Sequence, residues 1–149
     1  METQNITLLS FKIQDDLFAV DALQVDHILE LPPNITAVPN TPAYMKGIIN
    51  LHGNIIPVAD MRLIMDKEDQ GNKADASIIV LNPSNLPDAR IGILVDMVEE
   101  VIETKKEALK ETITEGKKGL IEHFEGTLVF KEDFVHVINI AHLCEIIEK

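Results

Sequence analysis

The sequence predicts a mainly β, duplicated fold with one or two short helices, and three observations predict it. The stretch AYMKGIINLHGNIIPVADMRLIMD, residues 43–66, reads as a hairpin running into a helix start, and it recurs near the C-terminus. Shifted by 79 positions without a gap, Gly47 lies over Gly126, Leu51 over Phe130, Ile55 over Phe134, Ile56 over Val135, Val58 over Val137 and Asp60 over Asn139. A second echo, at an offset of 73, sets Ala19, Val20, Val25, Ile28 and Leu29 over Gly92, Ile93, Val98, Val101 and Ile102. Such self-similarity marks a duplicated supersecondary unit. Finally, 46% of the 149 residues are apolar but only 4% aromatic, with no Trp, so the core must be built from Ile, Val and Leu, which favour strands.

Taken in order, residues 8–13 and 17–20 flank Gln14, Asp15 and Asp16 as an N-terminal hairpin. From Ala22 to Leu31 neither period fits cleanly, which reads as a turn of helix passing into a strand. Pro32, Pro33, Pro39 and Pro42 then make a stiff connector with at most a short strand at 35–38. Residues 47–51 and 55–59 form the central hairpin, with Gly53 and Asn54 read as a type II′ turn. Asp60 is an N-cap residue ahead of MRLIMD, and Asn139 takes the same place ahead of the C-terminal helix IAHLCEIIE. After a polar loop at 67–75, strands are expected at 77–82 and 91–95, joined through NPSNLPDA. Residues 99–118 favour a helix by propensity, but their like-charged pairs at four-residue spacing, Glu103 with Glu107 and Lys106 with Lys110, repel. The repeat places a strand through Val98, Val101 and Ile102 instead, then an exposed connector ending at Gly116 and Gly119.

The duplication points to two pseudo-symmetric small β-barrels, or half-barrels, sharing a hydrophobic seam within a single domain spanning 1–149; the local pattern equally suits one sandwich. Gly47, Gly53 and Gly92 read as requirements of turns and close strand packing. The net charge of −12 argues against nucleic acid or an anionic membrane surface and for a protein partner. One cysteine, Cys144, excludes an internal disulfide framework and fits a reducing compartment. The N-terminal stretch has no signal-peptide pattern and no segment reaches the roughly 20 apolar residues of a membrane helix, so a cytoplasmic location is expected. The histidines never fall at HxxxH or HExxH spacing on a convincing helix, no serine sits in a nucleophile elbow, and no Gly-rich loop follows a strand into a helix. No metal, cofactor or catalytic centre is expected, and Asp60 and Asp96 read as cap and turn residues rather than a paired carboxylate site.

The run P39-N-T-P-A-Y-M-K-G-I-I-N-L-H-G53 followed by I-I-P-V-A-D60-M-R62, the segment V25-D-H-I28, and G92-I-L-V-D-M-V98 with Val101 together resemble the CheW-like chemotaxis coupling proteins, in order from Leu8 to Ile147. The resemblance implies two five-stranded barrels around a shared core and a non-enzymatic adaptor. Such an adaptor would link a CheA-type histidine kinase, through that kinase's own CheW-like domain, to the cytoplasmic tips of methyl-accepting chemoreceptors, a receptor helix lying in the groove between barrels. It implies partner contacts around Val25, His27, Ile28, His52 and Arg62. The alternative is a small-ligand-binding or enzymatic β-barrel, which needs a deep pocket with converging polar groups. Two positions depart from the family pattern: His27 stands where Glu is common and His52 where Arg is common. If they adjoin, this surface becomes sensitive to pH near 6 to 7, where histidine titrates; otherwise they are two solvated surface residues, which is the commoner case.

Overall fold

The computed structural model describes residues 5–14, 16–30, 35–65, 76–82, 90–110 and 124–148. Ten strands and two α-helices lie among the described residues. They are β1 (Asn5–Ile13), β2 (Asp16–Asp21), β3 (Val25–Glu30), β4 (Met45–Leu51), β5 (Asn54–Asp60), α1 (Met61–Ile64), β6 (Ser77–Leu81), β7 (Ile91–Val95), β8 (Met97–Lys105), β9 (Phe124–Phe130), β10 (Asp133–Ile138) and α2 (Ile140–Glu148). A single 3₁₀ turn at Ala22–Gln24 precedes β3, as expected from its mixed periodicity, and another at Lys106–Ala108 follows β8. Over 98–105 the repeat overrides helix propensity: the segment is strand, paired along β1.

The strands form two five-stranded sheets, ordered β8-β1-β2-β10-β9 and β3-β6-β7-β5-β4. The orders correspond strand for strand, and the symmetry extends to direction, since β2·β10 and β5·β7 are the parallel pairs and the other pairs are antiparallel. Even the irregularities are duplicated. The register of β4 on β5 shifts between Met45 and Gly47, and that of β9 on β10 shifts where Phe124 and Gly126 pair, the same positions under the 79-residue offset. One extra residue is bulged out of β3 between Val25 and Ile28 and out of β8 between Val98 and Val101, matched under the 73-residue offset.

Each sheet curls into a barrel because the chain leaving one edge strand crosses to the opposite edge. Thr36 exchanges two backbone hydrogen bonds with Ile48 of β4, both 2.9 Å, and Lys110 does the same with Thr127 of β9, at 2.9 and 2.7 Å. The crossings run directly over Gly47 and Gly126. A Cβ at Gly47 would sit 2.1 Å from the Thr36 carbonyl oxygen, and one at Gly126 would sit 2.9 Å from that of Lys110; their φ angles, +145° and +155°, belong to glycine as well. Gly92 has a packing reason: an added Cβ would press on Ile78 and Val58 inside the barrel.

Three apolar clusters fill the molecule. Ile49, Ile56, Val58, Ile78, Val80 and Leu94 fill one barrel, and Leu8, Ala19, Ile102, Leu128, Val135 and Val137 fill the other. The third lies between them, where Phe11, Phe18 and Val20 of one sheet meet Ile79, Leu81 and Ile93 of the other beside Met61, Ile64 and Leu143 of the helices. Strands β6 and β7 face a barrel interior on one side and this seam on the other, which is why both are buried throughout and read as unbroken apolar runs.

The central turn differs from expectation. Leu51 pairs with Asn54, so the turn residues are His52 and Gly53, and both have positive φ, +52° and +85°. That is a type I′ turn, shifted by one residue from the expected type II′ pair, and the Asn50 side chain supports it by accepting the Gly53 amide at 2.9 Å. Its counterpart between β9 and β10 is the same, with Lys131 at +50° and Glu132 at +70°. The expectations for Pro32 and Pro33, the 67–75 loop, the turn at 83–89 and the connector ending at Gly116 and Gly119 fall outside the described residues, as does His123.

Candidate docking surface and inter-barrel brace

Both strand-to-helix corners are capped as expected. The Asp60 carboxylate accepts the Arg62 amide at 2.9 Å, and the Asn139 side chain accepts the His142 amide at 3.1 Å. The two then diverge. Asp60 also receives the Arg62 side chain in a two-pronged contact, Nε at 3.0 Å and Nη2 at 2.9 Å, with the Lys46 ammonium 3.6 Å away. Arg62 Nη1 lies 3.8 Å from Asp96, whose other carboxylate oxygen accepts the Gln14 amide at 2.6 Å. Asp60, Arg62 and Asp96 are all buried. Arg62, expected among the partner contacts, is only 2% exposed in this chain, and its guanidinium, through Asp96, braces the β5 corner of one barrel to the hairpin turn of the other. Asp60 and Asp96 do converge, but on a cation that consumes both carboxylates.

The other expected contact residues separate. Val25 is half-buried and packs on the seam, whereas Ile28 is 47% exposed. His27 and His52 adjoin: their rings lie 5.9 Å centroid to centroid, tilted by 45°. At the β3 bulge beside them, Asp26 sets its Oδ2 3.0 Å from His27 Nδ1 and 2.9 Å from the Arg90 Nε.

Exposed apolar residues outside the expected contact set complete the surface. Ile55 is 61% exposed on β5, and Phe134, its repeat partner on β10, is 68% exposed. Phe134 pairs across the strands with Val129, also exposed, beside a concavity of about 710 Å³ that Leu128, Phe130 and His136 help to line. Leu23 and Val101 are exposed as well. The signal was available in the alternation: Ile56 and Val58 point inward, so Ile55 must point out, and the same parity applies at Phe134.

A family model described as "CheW-like domain" matches residues 7–148. The chain belongs to the CheW-like domain family. Among curated proteins, the probable chemotaxis protein CheW of Rhizobium etli is 32% identical over 105 residues, covering 70% of this chain and 65% of that protein. Chemotaxis protein CheW of Klebsiella aerogenes is 29% identical over 109 residues, covering 73% and 63%, so the chain spans slightly under two thirds of these relatives. Against chemotaxis protein CheW of Thermotoga maritima the match runs over 137 residues at 29% identity, covering 89% and 87%. The crystal structure of the scaffolding protein TtCheW from Thermoanaerobacter tengcongensis superposes with a TM-score of 0.79 at 25% identity, covering 91% of this chain and 90% of that one. The paired five-stranded sheets are thus the CheW-like architecture. No helix among the described residues is long and apolar enough to cross a membrane.

Proposed function

We propose that this chain is a non-enzymatic adaptor of a chemotaxis pathway, working in the cytoplasm. In this reading it couples a CheA-type histidine kinase, through that kinase's own CheW-like domain, to the cytoplasmic tips of chemoreceptors. The observation that carries the reading is the pair Ile55 and Phe134: large apolar side chains left in solvent at the same place on each of two symmetry-related barrels. Phe134 and its exposed cross-strand neighbour Val129 form an apolar patch of the kind that marks a partner site, and Ile55 repeats the exposure on the other half, as suits a protein joining two others. The names of the relatives, which are chemotaxis and scaffolding proteins, point the same way. A ligand-binding or catalytic barrel fits less well, because side chains fill both barrel interiors and the central charged residues are tied to one another.

The deciding measurement is retention of the purified kinase regulatory domain and of a receptor-tip fragment by the immobilised chain at micromolar concentration. Phe134→Glu and Ile55→Glu are each expected to weaken retention of at least one of them about tenfold while changing stability by less than about 0.5 kcal/mol, since both side chains lie outside the core. If the unsubstituted chain retains neither, the adaptor reading fails.

A further inference from the structure

The His27–His52 contact has a counterpart that the repeat identifies. Under the same two offsets His27 corresponds to Glu100 and His52 to Lys131, and in the structure Lys131 Nζ lies 3.2 Å from Glu100 Oε1. Each barrel therefore carries the same device: a side chain from the bulge of one edge strand meets the first residue of the type I′ turn beside the opposite edge. In one barrel it joins opposite charges, and in the other it joins two imidazoles.

We propose that the His27–His52 contact is a proton-sensitive clasp, closing its barrel when the rings are neutral and releasing the β4–β5 turn when both are charged. Glutamate and lysine keep opposite charges from pH 5 to 8, whereas histidine is the side chain that gains a positive charge within that range. The surroundings offer little to hold two imidazoliums together. Among the described residues, the charged groups that meet the pair are Asp26, beside His27 Nδ1, and Arg90, beside the same Asp26 carboxylate. Asp26 is shared between His27 and Arg90, so its single negative charge cannot offset Arg90 and two imidazoliums together, and Val80, paired with His27 on β6, is apolar. Two protonated rings would therefore leave a local excess of positive charge about 6 Å apart, and release of the turn relieves it.

Amide hydrogen exchange on the chain alone tests this without any partner, so the outcome is independent of the adaptor reading. Protection factors, corrected for intrinsic exchange, are compared at pH 7.5 and 5.5 for Leu51 and Asn54 and, as an internal reference, for Phe130 and Asp133. Protection at Leu51 and Asn54 is expected to fall about tenfold in acid, a value between the limits that Coulomb repulsion at this separation sets in water and at a protein surface, while the reference turn holds. His52→Asn keeps a residue that tolerates the left-handed turn and should abolish the fall. The double substitution His27→Glu with His52→Lys copies the other barrel and should abolish it too. Equal protection at both pH values in the unsubstituted chain, or a fall that persists in both variants, overturns the proposal.

Discussion

At the residue scale, the decisive positions are those where one atom more or one charge less leaves no room for adjustment. Gly47 is the clearest. Gly47→Ala places a Cβ on the Thr36 carbonyl, which is backbone and cannot swing away, so a loss of more than about 3 kcal/mol is expected in denaturant unfolding. Gly53→Ala meets nothing within 4 Å and costs only the left-handed conformation, about 1–2 kcal/mol. A reversal of that order would mean that the connector does not close the barrel. Arg62 is the corresponding charge: Arg62→Met leaves Asp60 and Asp96 buried without their shared cation, and an expected loss of about 3–5 kcal/mol is read from the same transition. Sequence could locate Gly47 because glycine recurs at 126. It could not locate the burial of Arg62, because an arginine two residues past a cap looks identical whether its guanidinium points to solvent or folds back on the cap.

At the element scale, the two strand-to-helix corners look alike in sequence and differ in what the capping residue holds. Among the described residues the Asn139 side chain caps α2 and meets no charged group, so Asn139→Asp should stay within about 0.5 kcal/mol and Asn139→Ala should cost about 1 kcal/mol. Asp60→Asn keeps a capping oxygen but discards the charge facing a buried guanidinium, and about 3 kcal/mol is expected. Equal costs for Asp60→Asn and Asn139→Asp, measured by thermal unfolding, would show the brace to be energetically idle. The same corners mark how far elements were legible. Hairpins, both caps, the C-terminal helix and the strand at 98–102 follow from periodicity and the repeat, the last against its own helix propensity, because β1 supplies hydrogen bonds that isolated propensity ignores. The one-residue error in the central turn has a local cause. Gly-Asn is a good turn pair in isolation, but the register Leu51 with Asn54 is set by burying Ile49, Ile56 and Val58, and histidine accepts the left-handed position that results.

At the scale of the whole molecule, the seam makes two barrels one folding unit. The outer apolar surface was the least legible part, since strand parity separates barrel interior from outer face but not seam from solvent, and Val25 illustrates the difficulty by packing on the seam while Ile28, on the same strand, stays exposed. The third cluster draws Phe18 and Val20 from one sheet and Ile79 and Ile93 from the other, so neither barrel can open without exposing apolar surface that belongs to both. Phe18→Ala therefore should act on the entire chain. The expected loss is about 3–5 kcal/mol, and native-state hydrogen exchange should report it equally for β2 amides in one barrel and β7 amides in the other. Phe18 pairs with no strand of the second sheet, so its effect reaches β7 through the packing of the seam. Protection lost in β2 while β7 keeps its full value would mean that the halves unfold independently. Cooperativity of this kind also suits an adaptor with a docking patch on each half: a partner that stabilises one barrel stabilises, through the seam, the barrel that presents the other patch.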